Sequence, residues 1–250
     1  MKLSPYTRRL VWGTEDWVVS AMPGGSSVIA DGPSAGRPLA EVKPGLPLLF
    51  KVIDTHSRLS VQVHPCEEAV ALTGGAPKTE MWCILKPGPI YAGLKPGTTK
   101  AEVEAAVKSG DFERILVRHD AKAFETYFIP AGLVHAIGEG VKLYEVQQSS
   151  DTTFRLYDWG RMGADGRPRE LHVDKSMQAM KIDLPPPKPG DSVSCPYFRF
   201  SQRVVDYPAE IVANGESRLA VYALEIGESF LLEPGEKTTV PPGRLFVTEF

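Results

Sequence analysis

Long apolar runs are missing from this chain. No stretch of its 250 residues approaches the roughly 20 apolar residues that a membrane span requires, so no membrane partner is expected. The N-terminus, Met1-Lys2-Leu3-Ser4-Pro5, lacks the apolar core of a signal peptide. Cysteine is scarce: Cys66, Cys83 and Cys195 are an odd number without metal-type spacing. That argues against a disulfide framework and for a reducing, cytoplasmic compartment. A large charge excess is absent too. The formal net charge is −3 and there is no dense basic run, so nucleic acid and anionic membranes are not expected partners. The positive charges are scattered, which leaves room for a small anionic ligand.

What the chain has in quantity is glycine (23) and proline (22), spaced between short alternating runs. With 42% hydrophobic residues it can bury a substantial core. Turn-formers between short runs favour an all-β plan over a doubly wound one. Residues 1–50 read as largely irregular, with short strands near Trp12 and Trp17. Leu48–Ile53 is a continuous apolar run and reads as a buried strand. Strands are expected near 58–63, 80–85, 90–94, 124–129, 134–138, 142–148 and 152–159. Helical excursions are expected near 67–72, from an N-cap at Thr98 to Gly110, over 111–117, and over 170–180. The run Pro185-Pro186-Pro187-Lys188-Pro189-Gly190 reads as a stiff linker. The chain thus divides into a domain over 1–184, a Pro-rich linker over 185–195 and a smaller β unit over 196–250. Val240-Pro241-Pro242-Gly243-Arg244-Leu245-Phe246 echoes Ile129-Pro130-Ala131-Gly132-Leu133-Val134-His135, with Phe246 where His135 stands. This reads as two related β units, only the first of which keeps polar ligands.

One strand is chemically out of place. In Val61-Gln62-Val63-His64 the valines share one face and Gln62 and His64 share the other. Two polar side chains on an apolar strand need partners, and a metal ion is one such partner. His56 and His119 lie in polar, turn-like contexts and read as solvated loop residues. His172 opens a helix and reads as a cap or surface residue. His64 and His135 both occupy strands next to turns. Pro130-Ala131-Gly132-Leu133-Val134-His135 has the Pro-x-Gly-x-x-His form of the second metal motif of cupins. Gln62-Val63-His64 resembles the first, with Gln in place of the first His; the candidate for the following carboxylate is Glu80, at the start of a strand, since the nearer Glu67 and Glu68 fall in a helical excursion. The fold class expected is therefore all-β dominated: a cupin (jelly-roll) barrel with helical excursions and a second, smaller cupin-like unit.

Five strings resemble, in order, the short bacterial form of the type I mannose-6-phosphate isomerase family. They are Leu59–Pro65, Lys78–Trp82, Tyr91–Gly97, Phe128–Ala136 and Ser150–Trp159. The resemblance runs from about Trp12 to Met180. It implies a metal site of Gln62, His64, Glu80 and His135, normally holding zinc, with room left for water or substrate. It implies interconversion of mannose 6-phosphate and fructose 6-phosphate, with a proton moving between C2 and C1 through a cis-enediol. Lys78 and Arg155 match active-site positions of the family, and Asp151 lies four residues before Arg155 as the family's Asp does. Lys78 would polarise an oxygen or move a proton, Arg155 would donate to the enediolate, and Asp151 would assist ring opening. Lys95 is a candidate for the substrate phosphate. Cys66 stands where the family usually has Asp, and reads as a tolerated turn residue. The protein is expected to be a monomer or homodimer. Two other readings compete: a non-haem metal cupin oxygenase and a non-catalytic sugar-binding cupin. Gln62 argues against the first, because a fourth protein ligand fills a position that dioxygen needs. The presence of Lys78 and Arg155 argues against the second.

Overall fold

The computed structural model describes residues 1–163 and 165–250. These form twenty-two strands against four short α-helices and one 3-10 turn, so the chain is all-β dominated as expected. Two compact units account for it. One gathers residues 9–15 and 53–189; the other gathers 1–8, 16–52 and 190–250. The switch at Pro189/Gly190 falls inside the Pro-rich stretch expected to be a linker. The first fifty residues differ from expectation: most group with the C-terminal segment, and they carry strands at Lys2–Ser4, Tyr6–Leu10 and Gly13–Val19.

The 9–15/53–189 unit is built from facing antiparallel sheets. One has five strands in the order Leu116–Ala121, Gly88–Leu94, His135–Ile137, Val61–Val63, Phe154–Tyr157. Against it lie Thr126–Ile129, Glu80–Lys86 and Lys142–Gln148, with Glu80–Lys86 in the middle. Between Val61 and Tyr157 the chain passes back and forth between the sheets, the jelly-roll manner of cupins. Trp82, Ile84, Tyr127 and Leu143 from one sheet pack with Ile90, Ala92 and Ile137 from the other. This apolar body fills the space between the sheets and holds both rigid. The outer face of the five-stranded sheet carries Val61, Val63, Tyr91, Ala136 and Phe154, covered by Val103, Ala106, Ala179 and Met180 of the helical segments. The valines thus face outward onto the helices, and Gln62 is left on the inner face.

Three sequence expectations need correction. The helix spans Lys100–Ser109 with Thr99, not Thr98, as its N-cap, because Glu102 stands three residues after Thr99 and completes a capping box. Residues 111–117 hold one turn, Glu113–Ile115, and then the chain enters the Leu116–Ala121 strand against Gly88–Leu94. His119 therefore lies on a strand rather than in a loop, with its Nε2 3.3 Å from Ala92 O and its ring edge-on to Tyr127.

In the second unit, a seven-stranded sheet runs Ser192–Ser194, Arg199–Val205, Gly243–Glu249, Leu219–Ala223, Glu228–Leu232, Lys2–Ser4, Val28–Ile29. Phe246 is buried there against Phe200 and Tyr222. The echo of His135 is an aromatic core residue.

Candidate metal centre

The strand register assembles the site. Gln62 pairs directly with His135 on one side and with Arg155 on the other. Directly opposed residues of an antiparallel pair share a face, so the three side chains form a row across three strands. Glu80 reaches the cluster from the facing sheet. The turn at Pro130–Leu133 ties these pieces together. Gly132 adopts φ +91°, its N–H donates to His64 O at 2.8 Å, and the N–H of Ala131 donates to Thr79 Oγ1 at 3.2 Å. The turn is thereby fastened to the residue before Glu80 and to the backbone of His64, and His135 follows three residues later.

Two backbone carbonyls set the tautomers. His64 Nδ1 donates to Thr152 O at 2.9 Å, and His135 Nδ1 donates to Leu133 O at 2.8 Å. Each ring then presents a bare Nε2, the form that ligates metals. His64 Nε2 lies 3.5 Å from Glu80 Oε2, and His135 Nε2 lies 3.5 Å from Glu80 Oε1. All three side chains are at most 1% exposed. Burial, then the Lys78 ammonium, lowers the His64 pKa to about 3, and burial also lowers that of His135; both rings are neutral at pH 7. Burial alone would raise Glu80, but Lys78 and the two histidines outweigh it and hold the carboxyl well below its usual range.

The donor set fits a metal ion. Two imidazole lone pairs and a carboxylate converge to within 4.8 Å, and both Glu80 oxygens are buried without a hydrogen bond of good geometry. Lone pairs facing one another in a dry site repel unless a cation lies among them. One cation is already at the rim: Lys78 Nζ lies 2.8 Å from Glu80 Oε2 and 3.2 Å from His64 Nε2. The His64–Glu80–His135 cluster can hold a metal, and it is the one such cluster among the described residues. Gln62 adjoins it, with its Nε2 3.3 Å from His135 Nε2. A half-turn of that amide exchanges nitrogen for oxygen without changing its shape, and would make Gln62 a fourth ligand.

No family model matches the chain. An alignment over 265 residues with the mannose-6-phosphate isomerase of Streptococcus mutans serotype c is 32% identical and covers 87% of this chain and 82% of that protein. The chain belongs to the mannose-6-phosphate isomerase family. It is also 37% identical over 185 residues to the mannose-6-phosphate isomerase ManA of Bacillus subtilis, covering 67% of this chain and 58% of that one. The crystal structure of mannose 6-phosphate isomerase from Bacillus subtilis superposes with a TM-score of 0.81 at 25% identity, over 100% of this chain and 99% of that chain. A structure of a putative mannosephosphate isomerase from Archaeoglobus fulgidus shares the fold at 18% identity, with a TM-score of 0.74.

Within this mannose-6-phosphate isomerase family member, the other expected site residues fall in different places. Lys78 is buried in the cluster itself. Arg155 is in the same row as Gln62, with its Nη1 donating to Glu170 O at 2.7 Å; burial, then neighbouring Arg169, lowers its pKa. Asp151 is exposed, one residue before the Thr152 carbonyl that orients His64. Lys95 is not brought to the cluster. Its ammonium donates to Arg114 O at 2.6 Å, and it lines a groove of about 660 Å³ that contains none of the ligand residues. Sequence reasoning passed over Thr152, Leu133 and Thr79, whose contributions are largely backbone carbonyls or hydrogen bonds to backbone. It also passed over Glu145, a buried acid on the inner face that accepts from Trp82 Nε1 at 2.9 Å, while Trp82 packs edge-on against His135.

Proposed function

We propose that this chain interconverts mannose 6-phosphate and fructose 6-phosphate, with a divalent metal, normally zinc, held by Gln62, His64, Glu80 and His135. What supports the reading above all is the buried cluster of His64, Glu80 and His135, with Gln62 beside it, in a chain of this isomerase family. A dication bound there supplies a fixed positive charge that offsets negative charge developing on the sugar oxygens.

The chain's own groups supply the rest. Thr152 O and Leu133 O hold both imidazoles turned with Nε2 bare, and burial keeps them neutral, so neither ring spends a proton on the reaction. Lys78, held by Glu80, offers N–H donors at the cluster and can pass a proton to or from a sugar oxygen. Arg155 offers planar donors to the enediolate from the adjacent strand. Asp151, exposed one residue before the Thr152 carbonyl that orients His64, assists the opening of the sugar ring. The apolar packing of Trp82, Tyr127 and Ile129 beneath the cluster keeps water out of one side and strengthens these electrostatic contacts.

A coupled assay for fructose 6-phosphate tests the reading. The purified protein turns over mannose 6-phosphate, loses activity on exhaustive chelation and regains it with added zinc. Full activity after complete metal removal sinks the metal assignment, and no turnover by the metal-loaded protein sinks the isomerase reading.

A further inference from the structure

A second charged site lies beside the metal-ligand row, and the reaction above leaves most of it unused. Its centre is Asp158, a buried carboxylate just past the Phe154–Tyr157 strand. Arg169 holds it with Nε and Nη2, each 2.7 Å from a carboxylate oxygen. Arg161 holds it with Nη2 while its Nη1 donates to Arg58 O and Ser57 Oγ. Arg155 belongs to the same electrostatic group, acted on by Arg169, Asp158 and Arg161. Two guanidinium groups therefore share one buried carboxylate, and a third cation, Arg155, stands near them. Two other acids, Asp165 and Glu170, are exposed, Glu170 with a side chain 84% exposed and 3.9 Å from His172, so solvent screens most of their charge. Partly buried cations without matching anions are costly, and an anionic ligand removes that cost.

Hydrogen-bond accounting locates the free donors. Both Nη groups of Arg161 are engaged. Among the described residues, Arg155 Nη2 and Arg169 Nη1 donate to nothing, and neither is sealed from solvent; Arg155 Nε is sealed and has no acceptor. Asp158 fixes one edge of Arg169, which leaves the other edge presented as a rigid donor.

The spacing suits one end of a sugar phosphate. The row runs from His135 to Gln62 to Arg155, and Asp158 follows three residues after Arg155 at the end of the same edge strand. Arg155 is one to two strand spacings, roughly 5 to 10 Å, from the ligands. Six bonds of about 1.5 Å separate C2 of a six-carbon sugar 6-phosphate from its phosphorus, an extended reach of roughly 7 Å. We propose that Arg169, held by Asp158 with Arg161 as brace, binds the phosphate group of the substrate, while Arg155 stands between it and the reacting oxygens. This assignment rests on the sugar-phosphate reading above. It replaces Lys95, whose ammonium is engaged elsewhere.

The test uses the metal-loaded protein and inorganic phosphate as probe, measured by titration calorimetry. Arg169→Gln weakens phosphate at least about tenfold, the scale of one charge-assisted hydrogen bond. It raises KM for mannose 6-phosphate by a similar factor with a smaller change in kcat, and Arg169→Lys recovers part of the loss. If Arg169→Gln does not fold, phenylglyoxal labelling of the parent decides. Inorganic phosphate and mannose 6-phosphate protect Arg169 from modification, and mannose does not. Unchanged phosphate affinity in Arg169→Gln, or equal labelling with and without phosphate, overturns the assignment. The two readings separate cleanly. Phosphate binding through Arg169 without turnover keeps the anion site and removes the isomerase; turnover with a KM unmoved by Arg169→Gln does the reverse.

Discussion

Glu80 is the residue on which the site's electrostatics turn. Among the described residues it is the one carboxylate grouped with His64, His135 and Lys78, and it is fully buried. Glu80→Gln keeps the shape and removes the charge. Metal content after dialysis then falls from about one per chain to near zero, because an amide is a far poorer partner for a dication than a carboxylate. The metal-free variant also loses stability, on the order of 3 kcal/mol by urea unfolding, because Lys78 is left as a buried cation without its partner. Retained metal at parent affinity would remove Glu80 from the ligand set. His64, Glu80 and His135, which can hold a metal, and Gln62 beside them were legible in the sequence because strand periodicity puts Gln62 and His64 on one face and because Pro130–His135 is a recognisable turn-and-strand string. The groups that orient them were not. Thr152 and Leu133 act through carbonyls, which every residue has, and only the folded backbone shows which carbonyl meets which ring. The Asp158 group was illegible for a related reason: its partners lie 3 and 11 residues away in a segment with no helical or strand period.

Elements were read best where periodicity was clean. Lys142–Gln148 and Glu80–Lys86 appear as strands close to the expected spans, and Val103 and Ala106 are the buried stripe of the Lys100–Ser109 helix. The errors fall where the period is weak. Leu116-Val117-Arg118-His119-Asp120-Ala121 has three polar residues in succession, and its strand character comes from pairing with Gly88–Leu94 rather than from its own pattern. At the helix start, Thr98 and Thr99 are both competent caps, and the position of Glu102 decides between them. Thr99 Oγ1 accepts from Glu102 N, while Thr98 Oγ1 donates to Lys95 O. Thr99→Ala therefore costs about 1 kcal/mol, seen as a fall in Tm of roughly 2–4 °C, and Thr98→Ala costs less. Equal losses for the two variants would place the cap elsewhere. This helix packs over Val61 and Val63, the outward side of the ligand strand, so its anchoring supports the register that aligns Gln62 and His64.

At the scale of the whole molecule, sequence order and structural grouping part company. Lys2–Ser4 pairs with Glu228–Leu232, a contact across more than two hundred residues that no local pattern announces. Composition conveys a chain of modest net charge; the fold buries Lys78, Glu80, His64 and His135 together, and this has a consequence for acid stability. His64 titrates near 3 in the folded protein, against about 6.5 for an unperturbed histidine. Between those values the unfolded chain binds a proton that the folded chain refuses, so stability falls as pH drops from about 6.5 toward 3. His135, also lowered, acts in the same direction. Glu80, held below its usual range by Lys78, adds a stabilising contribution that is present above the ordinary carboxylate pKa and lost as pH falls through its lower folded value. For the metal-free protein the urea midpoint should therefore decline steadily from pH 7 to pH 4. His64→Gln, which has no proton to refuse, should flatten the part of that decline between pH 6.5 and 5. Metal bound to the folded state alone raises the whole curve by mass action, and protons compete for its imidazole ligands. The metal-loaded protein should accordingly lose its advantage over the chelated one as the pH is lowered through the same window. A metal-free midpoint that is level from pH 7 to pH 4 would mean that the two imidazoles are not buried as neutral groups.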